Sequence, residues 1–238
     1  MAGDKRLIVA LDVPDMDRVR NLVEKLGDSV SYYKVGMELY YSTGREVIAY
    51  LRSLNKDVFL DLKLHDIPNT VAQSLGVLTE LGASMLNIHA SGGLAMMKAA
   101  SQAVANKADQ LRISRPALIA VTVLTSIDAA DWANLRHDMG IKEHVVHLAK
   151  LAQSAGIDGV VASPQEAEAI RAACGEKFII VTPGVRPQGA AINDQSRIAT
   201  PREALKQGAH HLVIGRPITA AADPRTAALE ICKEMEAV

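Results

Sequence analysis

The chain contains few aromatic residues and carries almost no net charge. Phe, Trp and Tyr make up 3% of its 238 residues, and the formal net charge at pH 7 is -1. Surfaces that bind nucleic acid need clustered basic residues, and those that bind single strands also need aromatic rings on which bases stack. Nucleic acid is therefore not an expected partner, although a local phosphate site is still allowed.

Cysteines and long apolar runs are equally scarce. The two cysteines, Cys174 and Cys232, are far apart and lack metal-ligand spacing, so we expect both to be reduced thiols. No apolar run is long enough to cross a bilayer, and the chain reaches its first expected strand within a few residues, without a signal peptide. These absences together predict a cytoplasmic protein that has no membrane partner.

The chain does contain a regular alternation of two kinds of segment. Short apolar runs such as 7–11 and 116–124 are typical of strands buried on both faces, and they alternate with helical patterns about eight times. Neighbouring strands are not joined by two-residue hairpin turns, so a parallel sheet is expected. We predict an α/β protein with one (β/α)8 TIM-barrel domain over residues 1–238, and an open doubly wound sheet as the alternative.

The stretch 58–70 places charge inside an otherwise apolar strand. Because successive strand side chains point to opposite faces, Asp61 and Lys63 share one face, and the other face is wholly apolar. Asp66 follows at the end of the strand, just before Pro68 begins a helix. An ion pair and a helix cap would explain these charges by folding alone. Buried charges are costly, however, and three together favour a functional site.

In a (β/α)8 barrel, catalysis takes place at the C-terminal ends of the strands. The polar and turn residues expected at these ends are Asp12, Lys34, Asp61, Lys63, Asp66, His89, Thr125, Ser126, Pro183, Arg186, Gly215 and Arg216. Carboxylates and ammoniums in this set can compensate each other's charge, and a lysine held there can deliver a proton.

Two segments in the last quarter of the chain indicate a phosphate site. Gly215 follows the last expected strand and lets backbone N–H groups approach an anion, and Arg216 adds a planar donor group. Barrels of this class often bind phosphate after their seventh and eighth strands. The loop 182–195 is long and rich in glycine and proline, so a lid over the phosphate is the functional interpretation. A solvated arginine and a surface loop are the structural alternatives.

The order of these motifs resembles that of one known enzyme family. The motifs are Leu11-Asp12, Lys34-x-Gly36, Asp61-x-Lys63-x-x-Asp66-Ile67-Pro68-Asn69-Thr70, Leu124-Thr125-Ser126, Thr182-Pro183-Gly184-x-Arg186-Pro187, Asp194-Gln195 and Ile214-Gly215-Arg216-Pro217. Over essentially the whole chain they resemble orotidine 5′-phosphate decarboxylase in its shorter bacterial form. The Asp-x-Lys-x-x-Asp signature alone also resembles 3-keto-L-gulonate 6-phosphate decarboxylase and hexulose-phosphate synthase, which use a divalent metal.

The resemblance implies a reaction and an assembly. The reaction is the conversion of orotidine 5′-phosphate to uridine 5′-phosphate and carbon dioxide, the last step of de novo UMP synthesis, without a cofactor or a metal. Lys63 is implied to donate the proton to C6, Asp61 to lie against the substrate carboxylate, and Lys34 to complete the charge network and contact the ribose. Asp66 and Thr70 are implied to reach into the neighbouring subunit's site, which makes the enzyme a homodimer.

The resemblance also implies the substrate contacts. Asp12 would hold a ribose hydroxyl, and Thr125 and Ser126 would meet the pyrimidine edge. The phosphate would be held by Arg186, Gln195, Gly215 and Arg216 under the loop that closes as a lid. The full implied binding set is Asp12, Lys34, Asp61, Thr70, Thr125, Ser126, Pro183, Arg186, Gln195, Gly215 and Arg216.

Two other functions are compatible with these motifs. A metal-dependent sugar-phosphate decarboxylase or lyase of the same superfamily would lose its activity in the presence of a chelator. A non-catalytic nucleotide-binding barrel would bind uridine phosphates and leave orotidine phosphate intact. The second is less consistent with the sequence, because a binding protein does not need a lysine placed to donate a proton.

Overall fold

Eight strands form the sheet in the part of the chain that the structure describes. The structure is a computed structural model that describes residues 3–187 and 199–236. The strands are β1 Leu7–Ala10, β2 Tyr32–Gly36, β3 Asp57–Leu64, β4 Met85–His89, β5 Ala117–Val121, β6 Gly159–Val161, β7 Ile179–Thr182 and β8 His211–Ile214. Each strand pairs in parallel with the next, and β8 pairs with β1, so the sheet closes. The predicted (β/α)8 barrel is confirmed, and the open sheet is excluded.

Helices connect the strands and cover the outside of the barrel. Within the described residues they are α1 Met16–Leu26, α2 Met37–Thr43, α3 Glu46–Ser53, α4 Pro68–Thr79, α5 Gly93–Leu111, α6 Ala129–Asn134, α7 Ile141–Ser154, α8 Pro164–Cys174, α9 Pro201–Lys206, α10 Arg216–Thr219 and α11 Pro224–Glu236. Side-chain caps define several of their starts: Asp15 and Ser163 accept backbone N–H groups of α1 and α8. None of these described helices combines the length and the apolar character that crossing a membrane requires.

Apolar side chains fill two layers on either side of the sheet. The outer layer lies between strands and helices and includes Val9, Leu60 and Leu86. The inner layer fills the barrel and consists of Ile8, Ala10, Tyr32, Phe59, Met85, Ile119, Val181 and Val213. Neighbouring residues on a strand fall in different layers because successive side chains point to opposite faces.

The inward-facing positions become charged toward the C-terminal ends of the first three strands. On β2, Lys34 follows Tyr32 two positions later, and on β3, Asp61 follows Phe59 in the same way. Asp12 comes shortly after the end of β1. The period-2 alternation of the strands therefore brings three charges to one end of the barrel, next to an apolar interior.

Two local assignments from the sequence were wrong. The sequence of residues 32–39 predicts a single strand, but β2 ends at Gly36 and residues 37–43 form α2. The sequence of residues 127–140 predicts an irregular segment, but it contains α6, which begins after Asp128. The Asp128 carboxylate accepts two N–H groups of the first turn. Both helices are too short for a helical period to be distinguished from the sequence.

Candidate active site

A row of four charged side chains runs across the C-terminal end of the barrel from β1 to β3. Lys34 Nζ lies 2.8 Å from Asp12 Oδ1 and 3.6 Å from Asp61 Oδ2. Lys63 Nζ lies 2.8 Å from Asp61 Oδ1. The signs alternate along the row, so each ammonium and carboxylate faces a group of opposite charge, which offsets part of the cost of removing them from water.

Asp61 is the most buried carboxylate of this row, with 8% of the residue exposed. Burial by itself would raise the pKa of Asp61. The ammonium charges of Lys34 and Lys63, with hydrogen bonds from Lys63 and Asn87, outweigh that effect and lower the pKa below its usual value of 3.8. Asp61 is therefore ionised at neutral pH, and both lysines face a permanent negative charge.

An irregular backbone turns Lys63 toward Asp61. Between the pairs Leu60↔Leu86 and Leu64↔Ile88, the three residues 61–63 of β3 oppose the single residue Asn87 of β4, so β3 contains a bulge. Lys63 lies inside this bulge with φ +53, in the left-handed region that side chains other than glycine seldom adopt. Lys63 and Asp61 are in contact, as the alternation of strand side chains predicted. The bulge through which they meet could not be predicted from that alternation. Backbone strain of this kind is typical of functional sites.

A cavity of about 310 Å³ opens beside the charged row. Most of the site residues expected from the sequence line it; these are Asp12, Lys34, Asp61, Lys63, Thr125, Ser126, Pro183, Arg186, Gly215 and Arg216. Val121, Val161 and Val181 supply an apolar wall. The charged row comes from the first three strands and the arginines from the segments after β7 and β8, so distant parts of the chain meet around one cavity.

The cavity has two arginines on its β7–β8 side. Arg186 is only 7% exposed, and its buried Nε has no hydrogen-bond partner among the residues that the structure describes. Burial and then the charge of Arg216 lower the pKa of Arg186. Two guanidinium groups that repel each other beside a cavity are suited to a doubly charged anion, which would neutralise both.

Asp66 and Thr70 do not line the cavity. Both are exposed at the start of α4, beside Ile67, which is 67% exposed. Asp66 Oδ1 accepts the N–H of Ile67 at 2.6 Å, and the cap position of α4 is Ile67 itself, without a side-chain cap. Asp66 therefore does not cap the helix, and the local structural explanation for its carboxylate is weakened. Gln195 lies outside the described residues.

Asn87 is the buried site residue that the sequence analysis missed. Its side chain bonds to Asp61 and to the backbone of Lys63. The available signal was an amide in the middle of the apolar strand Met85–His89, two positions before the strand-end His89. A buried amide needs hydrogen-bond partners, so its presence there indicated polar groups on a neighbouring strand.

Histidines near the row do not complete a metal site. The rings of His89 and His65 lie 5.5 Å apart, and burial, followed by the charges of His65 and Lys63, lowers the pKa of His89. Across residues 3–187 and 199–236, no three or more His, Cys, Asp and Glu side chains are grouped to hold a metal ion. The geometry instead offers an ammonium and a carboxylate in contact, beside a cavity that has Arg186 and Arg216 on its β7–β8 side.

Comparison with known proteins points to the same family throughout. A family model described as "Orotidine 5'-phosphate decarboxylase / HUMPS family" matches residues 5–231. The orotidine 5′-phosphate decarboxylase of Moorella thermoacetica is 50% identical, over 100% of this chain and 95% of its own length. That of Trichlorobacter lovleyi is 51% identical, over 98% of this chain and 95% of its own length.

A solved structure shows the same arrangement of elements. The crystal structure of orotidine 5′-phosphate decarboxylase from Lactobacillus acidophilus matches with a TM-score of 0.86 and 40% sequence identity, over 98% of this chain and 99% of that one. The similarity therefore extends over the whole barrel and is not confined to the short Asp-x-Lys-x-x-Asp signature.

Proposed function

This chain belongs to the orotidine 5′-phosphate decarboxylase / HUMPS family, and we propose on that premise that it converts orotidine 5′-phosphate to uridine 5′-phosphate and carbon dioxide. The observation that carries the proposal is the Lys63 ammonium, held 2.8 Å from Asp61 at the edge of a cavity. Curated relatives with this activity in their names match the chain over nearly its full length. The chain is accordingly a carboxy-lyase.

Lys63 supplies the proton in this reaction. The bond between C6 and the carboxylate carbon breaks, and its electron pair stays on C6 as carbon dioxide leaves. That carbanion takes a proton from the Lys63 ammonium, which lies on the same inner side of the barrel as Asp61. The ammonium also stabilises the negative charge as it develops, so no electron-accepting cofactor is needed.

Asp61 and Lys34 prepare the site for this step. Asp61 is ionised and held between two ammoniums, so its charge opposes the substrate carboxylate until carbon dioxide departs. Lys34 lies between Asp61 and Asp12 and offsets their negative charge. It contacts the ribose together with Asp12. These groups are prepositioned, so little reorganisation is needed during the reaction.

The remaining cavity residues bind the nucleotide. Thr125 and Ser126 meet the pyrimidine edge, and the β7–β8 side holds the phosphate. The phosphate contacts are Arg186, Gln195, Gly215 and Arg216, and Pro183 belongs to the same substrate-binding set. Two observations support this placement: the buried Nε of Arg186 has no hydrogen-bond partner in the part of the chain that the structure describes, and the charge of Arg216 lowers the pKa of Arg186 further after burial. Binding energy from the phosphate is then available to the distant reacting carbon.

The enzyme acts as a homodimer in which Asp66 and Thr70 complete the partner's site. Both residues are exposed at one place on the surface, where Ile67 is also exposed. A carboxylate contributed from a second subunit would extend the row of alternating charges beyond Lys63. The free thiols of Cys174 and Cys232 suit a reducing compartment, so we assign the enzyme to the cytoplasm.

The activity is tested by the absorbance change of orotidine 5′-phosphate, measured with a chelator present. Full turnover with the chelator is the expected result. Binding of uridine 5′-phosphate without turnover would instead identify a non-catalytic barrel. Turnover that the chelator abolishes and added divalent metal restores would identify the metal-dependent branch, which shares the Asp61–Lys63–Asp66 motif.

The dimer is tested by mixing two inactive homodimers, Lys63→Ala and Asp66→Asn. In a hybrid, one site receives both defects and the other receives neither, so random exchange should restore about a quarter of wild-type activity. Each variant alone, treated in the same way, is the control. Subunit exchange demonstrated by mass spectrometry without recovery of activity would remove Asp66 from the partner's site.

A further inference from the structure

Asn87 connects the two proposed reacting charges through both ends of its amide. The residue lies in β4, and 2% of it is exposed. Its Nδ2 donates to Asp61 Oδ1 at 2.7 Å, and its Oδ1 accepts the backbone N–H of Lys63 at 2.8 Å. An ionised carboxylate can only accept and a backbone N–H can only donate, so a single orientation of the amide satisfies both partners.

The bond to Lys63 compensates for the interruption of the sheet. Between Leu60 and Leu64 the regular pairing of β3 with β4 is broken, and Lys63 lies in that gap with φ +53. A backbone N–H that loses its sheet partner and finds no other acceptor is destabilising. The side chain of Asn87 supplies the acceptor at this point, so it stabilises the bulge that directs Lys63 toward Asp61.

The bond to Asp61 fixes the carboxylate without adding charge. Asp61 Oδ1 receives both the Asn87 amide and the Lys63 ammonium, the latter at 2.8 Å, and Oδ2 faces Lys34 at 3.6 Å. Two hydrogen bonds to Oδ1 and the ion pair with Lys34 at Oδ2 come from three different strands, and together they fix the position of the carboxylate. The hydrogen bond that the amide donates favours the ionised form of Asp61. Because the amide is neutral, the net charge of the row stays unchanged.

We propose that Asn87 is a positioning residue for the proton transfer, because one side chain holds both the Asp61 carboxylate and the backbone of Lys63 in place. Asn87 is not among the residues that line the cavity, so it acts through these two groups and does not touch the substrate. The inference rests on the proposed function, in which Lys63 donates the proton.

The test uses Asn87→Asp, which separates the two bonds. The replacement keeps the size of the side chain and an acceptor for the Lys63 N–H, but it places a second carboxylate against Asp61. We expect kcat to fall by roughly 100-fold, since displacements of about 1 Å at a reacting centre have effects of that size. The KM should change by less than about threefold, because Asn87 does not line the cavity and the nucleotide-binding residues on the β7–β8 side are unchanged.

The pH dependence provides a readout that a purely structural role would not move. Two adjacent carboxylates retain a shared proton to higher pH, so the acid limb of the kcat profile should shift upward in Asn87→Asp. Asn87→Ala removes both bonds and adds no charge; it should also lower kcat, with a smaller shift of the limb. Asn106→Asp is the matched control, because it makes the same change on α5 far from the cavity.

Binding of uridine 5′-phosphate, measured by calorimetry, shows whether each variant is folded. An Asn87→Asp protein that binds this nucleotide normally and keeps wild-type kcat and pH profile would overturn the inference. If that variant does not fold, Asn87→Ala decides in the same way. Lys63→Ala, assayed in parallel, separates the two claims: retained turnover in Lys63→Ala rejects the proposed function, whereas its loss beside a fully active Asn87 variant rejects only the role of Asn87.

Discussion

The two ends of the barrel use charged residues in opposite ways. At the N-terminal end of β7 and β8, the guanidinium of Arg171 donates to the carbonyls of Gly175, Phe178 and Gly208 at 2.7, 3.0 and 2.7 Å. It also donates to His210 Nδ1 at 2.8 Å. A guanidinium can only donate, so this nitrogen of His210 accepts and the ring is held in one neutral tautomer.

At the C-terminal end, charges are brought together that the fold alone does not need. Asp61 is shared by two ammoniums, and Arg186 is buried with Arg216 nearby. Charge stabilises the barrel where each donor has a fixed backbone acceptor. Where two like charges lie near each other beside a cavity, they repel. A bound ligand of opposite charge would relieve that repulsion, which favours its binding.

The largest effect expected at the C-terminal end is that of Lys63→Ala. Loss of the ammonium removes the proposed proton donor, so kcat should fall by about 10⁴-fold. Lys107→Ala is the matched control, because Lys107 pairs with Glu80 at 2.7 Å on the outside of the barrel and should keep full activity. Steady-state assays with circular dichroism check both. A Lys63→Ala enzyme of near-normal rate would contradict the proposed mechanism.

Arg216→Ala should weaken substrate binding more than catalysis. A hydrogen-bonded charge pair is worth about 1.5–3 kcal/mol, which predicts a KM raised roughly 10- to 100-fold. Arg225→Ala, on the exposed start of α11, is the control. Phosphate would have to bind elsewhere if the KM of Arg216→Ala were unchanged.

Arg171→Ala, at the N-terminal end, should lower the stability of the enzyme and leave its activity unchanged. Removal of this side chain takes one donor away from each of three carbonyls and from His210 Nδ1, which then keeps only the N–H of Ile180. The free energy of unfolding should therefore fall by about 2–4 kcal/mol. The kcat and KM of the folded enzyme should remain unchanged. Urea denaturation and steady-state assays measure the two quantities. Arg171→Lys retains the charge but not the planar donor set, so it should recover only part of the stability.

The smallest effect expected is a dependence of stability on pH at the N-terminal end. Burial, followed by the charges of Arg171 and His211, lowers the pKa of His210, so the folded state favours the neutral ring. A lowered pKa in the folded state means that this stability is complete above the usual value of 6.5 and is lost as the pH falls below it. The urea midpoint should therefore drop between pH 7.5 and 5.5.

His210→Asn is the matched variant for this pH dependence. It keeps an acceptor near the position of Nδ1 and cannot be protonated, so its urea midpoint should vary less with pH than that of the wild type. His211, whose pKa burial also lowers, remains as a background contribution in both proteins. An equal pH dependence in the two proteins would remove His210 as the cause.

Much of the site could be predicted because it follows from strand periodicity. Asp61 and Lys34 are inward-facing continuations of Phe59 and Tyr32, and period-2 alternation identifies them without coordinates. Arg186 and Gly215 were predicted from their place after the last two strands. Asn87 was missed because its role depends on which strand lies beside β4, and only the closed sheet specifies that.

Local patterns in the chain predict a parallel α/β fold and the residues that reach the C-terminal ends of its strands, and closure of the sheet selects the barrel over the open alternative. Apolar runs of strand length alternate with helical segments, and these local patterns leave few other ways to bury the strands. The contacts between those residues are defined only by the tertiary structure. They are the bulge at Lys63, the hydrogen bonds of Asn87 to Asp61 and Lys63, and the interaction of Arg186 with Arg216. Each depends on distances between segments far apart in the chain, and these become defined only when the sheet closes.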